Sequence, residues 1–170
     1  MEELRLIKKE KGQTLIEALV ALAAAVAVVY AISTAVISAL SNAQFSKNQV
    51  LATQYAQQGI EIMRQLRDSD WSTFYSYNDS GSSLYYCLDK NSKSIRSQGT
   101  GCGQNVDNFI REVQIQKNSS DCRTPSGITN AARITVIVKW SDGKCPAGDA
   151  YCHKVQLASC LSDFQVISTP

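Results

Sequence analysis

The sequence predicts an α+β fold in which one long N-terminal helix, first transmembrane and then amphipathic, packs on a small antiparallel sheet. Three observations predict it. Between Leu15 and Leu40 the only charged side chain is Glu17, and the rest is mainly Ala, Val, Leu and Ile. At a rise of about 1.5 Å per residue that stretch makes a helix of roughly 39 Å, longer than a bilayer core of roughly 30 Å. Leu51, Tyr55, Gly59, Ile62, Met63 and Leu66 then recur at helical spacing. Three later segments alternate apolar and polar residues with the period of a half-buried strand.

Residues 1–12 set Arg5, Lys8, Lys9 and Lys11 against Glu2, Glu3 and Glu10. Membrane orientation follows Lys and Arg rather than net charge, so this end is expected in the cytoplasm and the C-terminal domain outside. An ordinary secretory signal has an apolar region of about 7–15 residues with a small-residue cleavage site after it. The apolar run here is longer, so it is expected to stay on the mature protein. Glu17 needs a reason, since a carboxylate costs about 2.5–3.5 kcal/mol at the centre of a spanning helix and less near an interface. In one reading Thr14 and Glu17 form a T-x-x-E capping box over the amides of a first turn. In the other the chain is cut after Gly12, and Glu17 pairs with the freed amino group of Gln13 on a neighbouring subunit. Spacing alone does not choose between them.

Ala23, Ala27, Ala31, Ala35, Ala39 and Ala43 recur every four residues, a ridge of small side chains that precesses slowly around the helix. Such ridges let helix backbones approach closely inside lipid, although an Ala-rich helix also contains rows of this kind by chance. From Ser41 the composition turns polar without a Gly-Pro break, so the helix is expected to continue to about residue 70. Its apolar face should cover a sheet, while Lys47, Gln54, Gln57, Gln58, Glu61, Arg64 and Gln65 form a mostly solvated face. Asp68, Ser69 and Asp70 signal its end.

Residues 71–108 are rich in Ser, Asn, Gly and Tyr, and only Leu84 to Leu88 reads as a short strand. The aromatics Trp71, Phe74, Tyr75, Tyr77, Tyr85 and Tyr86 are read as the lid of a small core, with a partner-contacting loop as the alternative. The later strands are clearer. Phe109, Val113 and Ile115 alternate with polar neighbours, as do Ile134, Val136, Val138 and Trp140, followed by Val155, Leu157 and Leu161. Loops of roughly a dozen residues suffice to join them as antiparallel neighbours.

All six cysteines, Cys87, Cys102, Cys122, Cys145, Cys152 and Cys160, fall after the apolar run. An even number outside the cytoplasm, without C-x-x-C spacing, argues for disulfides rather than for metal. The expected pairing is Cys145 with Cys152, clipping the loop between the last two strands, and Cys87 with Cys102 across the irregular region. Cys122 with Cys160 is what remains.

Little in the chain suggests catalysis. His153, the only histidine, has no nucleophile signature nearby, and no G-x-S-x-G, P-loop or H-E-x-x-H is present. No enzyme activity, cofactor or metal is expected. The sequons at Asn78 and Asn118 match at chance level. The formal charge is +2, and +1 for the side chains from Gln13 onward, with no basic stripe of the kind that binds nucleic acid.

The stretch of Gly12, Thr14, Leu15, Ile16 and Glu17, behind a short basic leader and ahead of an unbroken apolar helix, resembles the class III signal of type IV pilins and type II secretion pseudopilins. The segment from Ala56 to Arg67, A-Q-Q-G-I-E-I-M-R-Q-L-R, is also similar to the equivalent helix of some minor pilins and pseudopilins. Gln13 stands where that family commonly has Phe, and the Pro that often interrupts the family's helix is missing. The resemblance implies a pilin-like fold, cleavage by a membrane prepilin peptidase between Gly12 and Gln13, and N-methylation of Gln13. It also implies a filament-assembly role for Glu17. The organisation it implies is a leader over 1–12, a filament-core helix over 13–40, its amphipathic continuation over 41–70 and a disulfide-stapled head over 71–170. The implied partners are other pilin or pseudopilin subunits, the peptidase and a membrane assembly platform. The contrasting expectation is a single-pass anchored binding module that keeps residues 1–12 and never polymerises.

Overall fold

In chain order the elements are helix α1 (Glu3–Ser69), helix α2 (Trp71–Ser76), strands β1 (Tyr86–Cys87), β2 (Arg96–Ser97) and β3 (Ile110–Lys117), a 3-10 turn (Ser120–Cys122), and strands β4 (Ala131–Trp140) and β5 (His153–Ser162). The computed structural model describes residues 3–77, 85–99, 101–122 and 131–163. The fold is α+β, with a long N-terminal helix packed on an antiparallel sheet of five strands in the order β2-β1-β3-β4-β5. The chain falls into two compact units, Met1–Ser46 and Lys47–Pro170. The second takes in α1 from Lys47 rather than starting at residue 71, because that part of the helix supplies the sheet's covering side chains.

The three long strands form where alternation predicted them. In β3 and β4, Val113 faces Val136 and Ile115 faces Ile134, and across to β5 Val136 faces Leu157 and Val138 faces Val155. One apolar layer results, and Val113, Ile115, Ile134, Val136 and Val138 are all fully buried.

Helix α1 meets this layer on a narrower and smaller-sided stripe than its large residues indicate. Ala52, Ala56, Gly59, Ile60 and Met63 are the buried positions, while Leu51, Tyr55, Ile62 and Leu66 flank the core partly covered. Small residues sit at the centre because the helix lies close to β4. A Cβ on Gly59 would stand 2.8 Å from Val136 Cγ1 and 3.3 Å from Leu88 Cδ2.

The turn signal at residues 68–70 does more than stop α1. Asp70 caps a second helix, its carboxylate accepting from the Ser72 amide at 2.9 Å and from the Thr73 hydroxyl. With six residues, α2 is too short to leave a periodic signal in the sequence. Its Phe74 is 1% exposed, Trp71 stacks on Phe74 with ring centroids 5.4 Å apart, and Tyr77 meets Tyr86 edge-on at 5.7 Å. These aromatics close the core, as the lid reading expected. The expected strand at 84–88 is present as β1, and Leu84 lies outside the described residues, as does the sequon at Asn78. The pair of residues in β2 was not foreseen, for the same reason as α2.

Three disulfides join Cys87 to Cys102, Cys122 to Cys160 and Cys145 to Cys152, with Cα separations of 5.3, 5.5 and 5.5 Å. The first ties β1 to the loop ahead of β3. The second ties the 3-10 turn to β5, and the third closes the β4–β5 connection.

Candidate functional site

The first candidate site is the apolar part of α1, where every residue from Thr14 to Leu40 is exposed. It belongs to the one helix, among the described residues, that is long and apolar enough to cross a membrane. Thirteen large side chains from Leu15 to Leu40 stand between 50% and 71% exposed. Full burial of each is worth about 1.5–3 kcal/mol, so the apolar surroundings this segment lacks in water are worth tens of kcal/mol in total. The polar atoms within it are partly satisfied by the helix itself. Ser33 donates to the Val29 carbonyl at 2.8 Å and Thr34 to that of Ala31 at 2.9 Å.

Gly12 and Gln13 fall within the helical backbone of α1, and Glu17 and the ridge Ala23, Ala27, Ala31, Ala35 and Ala39 are on its exposed length. The capping-box reading of Thr14 and Glu17 does not fit the intact chain. Helix α1 begins at Glu3, so the amides of the Thr14 turn are inside the helix and already have carbonyl partners four residues back.

The second candidate lies in the head and was not singled out by the sequence reading. Arg111 occupies the β3 position between Phe109 and Val113, on the same face, and is fully buried. Its Nε donates to the Leu88 carbonyl at 2.9 Å and its Nη2 to that of Asp89 at 3.0 Å. Nη1 donates to the Tyr55 carbonyl at 3.2 Å and to Gln58 Oε1 at 2.8 Å. The guanidinium therefore clasps α1 to the segment after β1. Burial pulls it down to about 10, and it stays charged at neutral pH. A helix and the segment after β1 converge on this one fork from β3, a geometry that arginine provides and lysine does not. Gln58, expected on a mostly solvated face, is part of the clasp.

Beside it the Tyr55 hydroxyl donates to Asp107 Oδ2 at 2.6 Å, and Lys90 Nζ bonds the other oxygen. The Lys90 and Tyr55 hydrogen bonds hold Asp107 below the usual carboxylate range, and the bond to Asp107 raises the Tyr55 phenol. Asp107 itself sits at φ +51°, in the left-handed region that Asp tolerates better than most residues.

The third grouping is at the closed end of the β4–β5 connection. Asp142, Cys145, Cys152 and His153 bring one carboxylate oxygen, two sulfurs and one imidazole nitrogen within 4.8 Å of one another. His153 Nε2 is 3.0 Å from Asp142 Oδ2, and its ring lies 5.5 Å from that of Trp140. The Lys144 amide, hydrogen-bonded to the carboxylate, and then the His153 contact hold Asp142 below its ordinary range. The sequence reading placed His153 at a strand start, where it is, and did not connect it to Asp142. Their contact joins the two ends of a loop, which one-dimensional spacing does not reveal. An open polar groove at the α1–α2 corner, about 500 Å³, is lined by Arg67, Asp68, Ser69, Asp70, Trp71, Ser72 and Asp163.

No protein-family model, curated protein or solved structure matches this chain.

Proposed function

We propose that the chain is a structural subunit, a minor pilin or pseudopilin of a type IV pilus-like or type II secretion filament, processed after Gly12 and assembled through its N-terminal helix. One observation carries this reading. A single continuous helix is exposed and apolar on all sides from Thr14 to Leu40, and the same helix forms the core of a disulfide-stapled head at Ala52, Ala56, Ile60 and Met63. A span that served only as an anchor has no need to run without a linker into a domain's core. A subunit that must be drawn from lipid and held in a filament gains from a helix that runs from the apolar segment into its head without a linker.

In this reading the apolar segment sits in the cytoplasmic membrane before assembly and among equivalent helices afterwards, with the Ala23 to Ala39 ridge allowing close approach. Glu17 pairs with the amino group of Gln13 on a neighbouring subunit, which neutralises a charge that lipid penalises and sets the subunit register. The head lies outside, and its three disulfides suit an oxidising compartment.

The test is substitution of Glu17 in the native cell, followed by fractionation of sheared filaments from membranes. Glu17→Val should leave processing and membrane insertion intact and remove the chain from the filament fraction. Ala31→Leu should reduce incorporation through the ridge. Normal incorporation of both variants would count against the reading.

A further inference from the structure

The grouping at the end of the β4–β5 connection has donor chemistry that the filament reading does not use. We propose that Asp142, Cys145, Cys152 and His153 form a two-state clip, closed by the disulfide when oxidised and, when reduced, a four-ligand site for a thiophilic divalent cation of the zinc class. The inference does not rest on the proposed function.

A tetrahedral site with bonds of about 2.0–2.3 Å places its donor atoms roughly 3.3–3.8 Å apart. Here the four donor atoms already lie within 4.8 Å of one another, and the nitrogen and oxygen pair stands at 3.0 Å. The two sulfurs must separate once their bond is broken. With the Cα atoms 5.5 Å apart, rotation of the two side chains supplies that movement and the backbone need not shift.

The remaining contacts orient the donors. Asp142 Oδ1 accepts from the Lys144 amide at 2.9 Å, which fixes the carboxylate and leaves Oδ2 turned toward His153. The Cys152 amide donates to Cys145 Sγ at 3.2 Å, which holds that sulfur on the side of the loop that faces the other donors. Trp140, 3% exposed, restrains the imidazole plane. Two sulfurs, one nitrogen and one oxygen select zinc-like ions over calcium or magnesium, which take oxygen ligands.

The chemistry balances with a dithiol as reductant. The dithiol delivers two electrons and two protons to the Cys145–Cys152 bond, giving two thiols, and itself becomes a disulfide. The incoming cation then displaces the two thiol protons to solvent and is bound by two thiolates, the Asp142 carboxylate and neutral His153. Exchange with a disulfide reverses the step: the two thiolates re-form the Cys145–Cys152 bond, the incoming disulfide accepts their two electrons and two protons from solvent to become a dithiol, and the cation is released. Cys145 and Cys152 are partly exposed, whereas Cys87, Cys102 and Cys122 are buried, so each of the other two disulfides has at least one sheltered sulfur.

The experiment uses the full chain in detergent micelles, treated with dithiothreitol until alkylation and mass mapping show free thiols at Cys145 and Cys152 only. The reductant is removed without oxygen, and Co²⁺ is added as the spectroscopic probe. The expected result is one Co²⁺ per chain, with a thiolate-to-cobalt charge-transfer band and the intense visible bands of a tetrahedral ion. The oxidised chain and a Cys145→Ser/Cys152→Ser variant, which keeps the other two disulfides, should lack the charge-transfer band. His153→Ala and Asp142→Ala should each weaken binding by about tenfold or more, with the other disulfides still protected from alkylation. A reduced chain without the band would overturn the proposal, and so would binding unchanged by both single variants.

Discussion

Replacing Arg111 by methionine removes a charge from the middle of the head while keeping most of the hydrocarbon that fills its place. Four hydrogen bonds disappear, to Leu88 O, Asp89 O, Tyr55 O and Gln58 Oε1. They are not equally costly to lose. The Tyr55 carbonyl keeps its helical partner in α1, and Gln58, on an exposed position, regains water. The Leu88 carbonyl is left in the interior edge of the sheet, at about 1–3 kcal/mol, whereas the partly exposed Asp89 carbonyl keeps the Ser92 amide at 3.2 Å. Relief from holding a guanidinium whose pKa burial has pulled down to about 10 offsets part of this. A net destabilisation of about 1–3 kcal/mol follows. Arg111→Lys separates charge from geometry. It keeps the charge but cannot span acceptors on a helix and a loop at once, and its ammonium is the more strongly hydrated ion. The lysine variant should be at least as unstable as the methionine variant. Urea unfolding of the full chain in detergent, followed by emission from Trp71 and Trp140, reads both. A methionine variant within about 0.5 kcal/mol of the parent, or full recovery in the lysine variant, would refute the clasp.

Three further outcomes follow from the head. Gly59→Ala should destabilise it by about 1–3 kcal/mol despite a gain in helix propensity of about 1 kcal/mol, because the new methyl would meet Val136 Cγ1 at 2.8 Å; adding Val136→Ala should restore part of the loss in the same urea assay. Serine pairs at Cys87 and Cys102, or at Cys122 and Cys160, should cost about 3 and 4 kcal/mol respectively through the loops they release, and a peptide map without reductant should recover the three observed pairs and no others. In acid, stability should be complete above about pH 5 and fall progressively below it. Asp70 is held down by Thr73, Asp107 by Lys90 and Asp142 by the Lys144 amide, so the unfolded chain takes up protons first as the pH drops. Asn at all three positions should flatten the acid limb of a pH titration of stability, and an unchanged limb would count against these contacts.

The sequence was most legible where one physical force acted over a regular period. The apolar run showed a helix able to span a bilayer, and the alternation in residues 109–115, 134–140 and 155–161 showed β3, β4 and β5. The fold followed from those elements. The disulfide pairs were legible because Cys145 and Cys152 lie in the loop between two predicted strands and Cys87 and Cys102 bracket a segment with little other order. Sequence reading failed where the signal was short or cooperative. Helix α2 and strand β2 are shorter than any period. The helix stripe was placed on Leu51, Tyr55, Gly59, Ile62, Met63 and Leu66; Gly59 and Met63 are buried as expected, but close packing on β4 also gives the centre to Ala52, Ala56 and Ile60 and leaves the large flanking residues partly covered. Arg111 read as a polar neighbour, although its slot between Phe109 and Val113 on a buried face was visible in the alternation. A charged residue in such a slot is the signal that could have found it, since burial then demands a set of carbonyl partners. The pairing of Asp142 with His153 depends on the closed loop and had no such signal.

The most direct test of the filament account is the N-terminus of the mature chain. Intact mass and N-terminal sequencing of the protein from its native membrane, with and without a prepilin peptidase, should show a peptidase-dependent start at Gln13, the first residue after Gly12. A chain that keeps residues 1–12, or is cut elsewhere, would contradict the account.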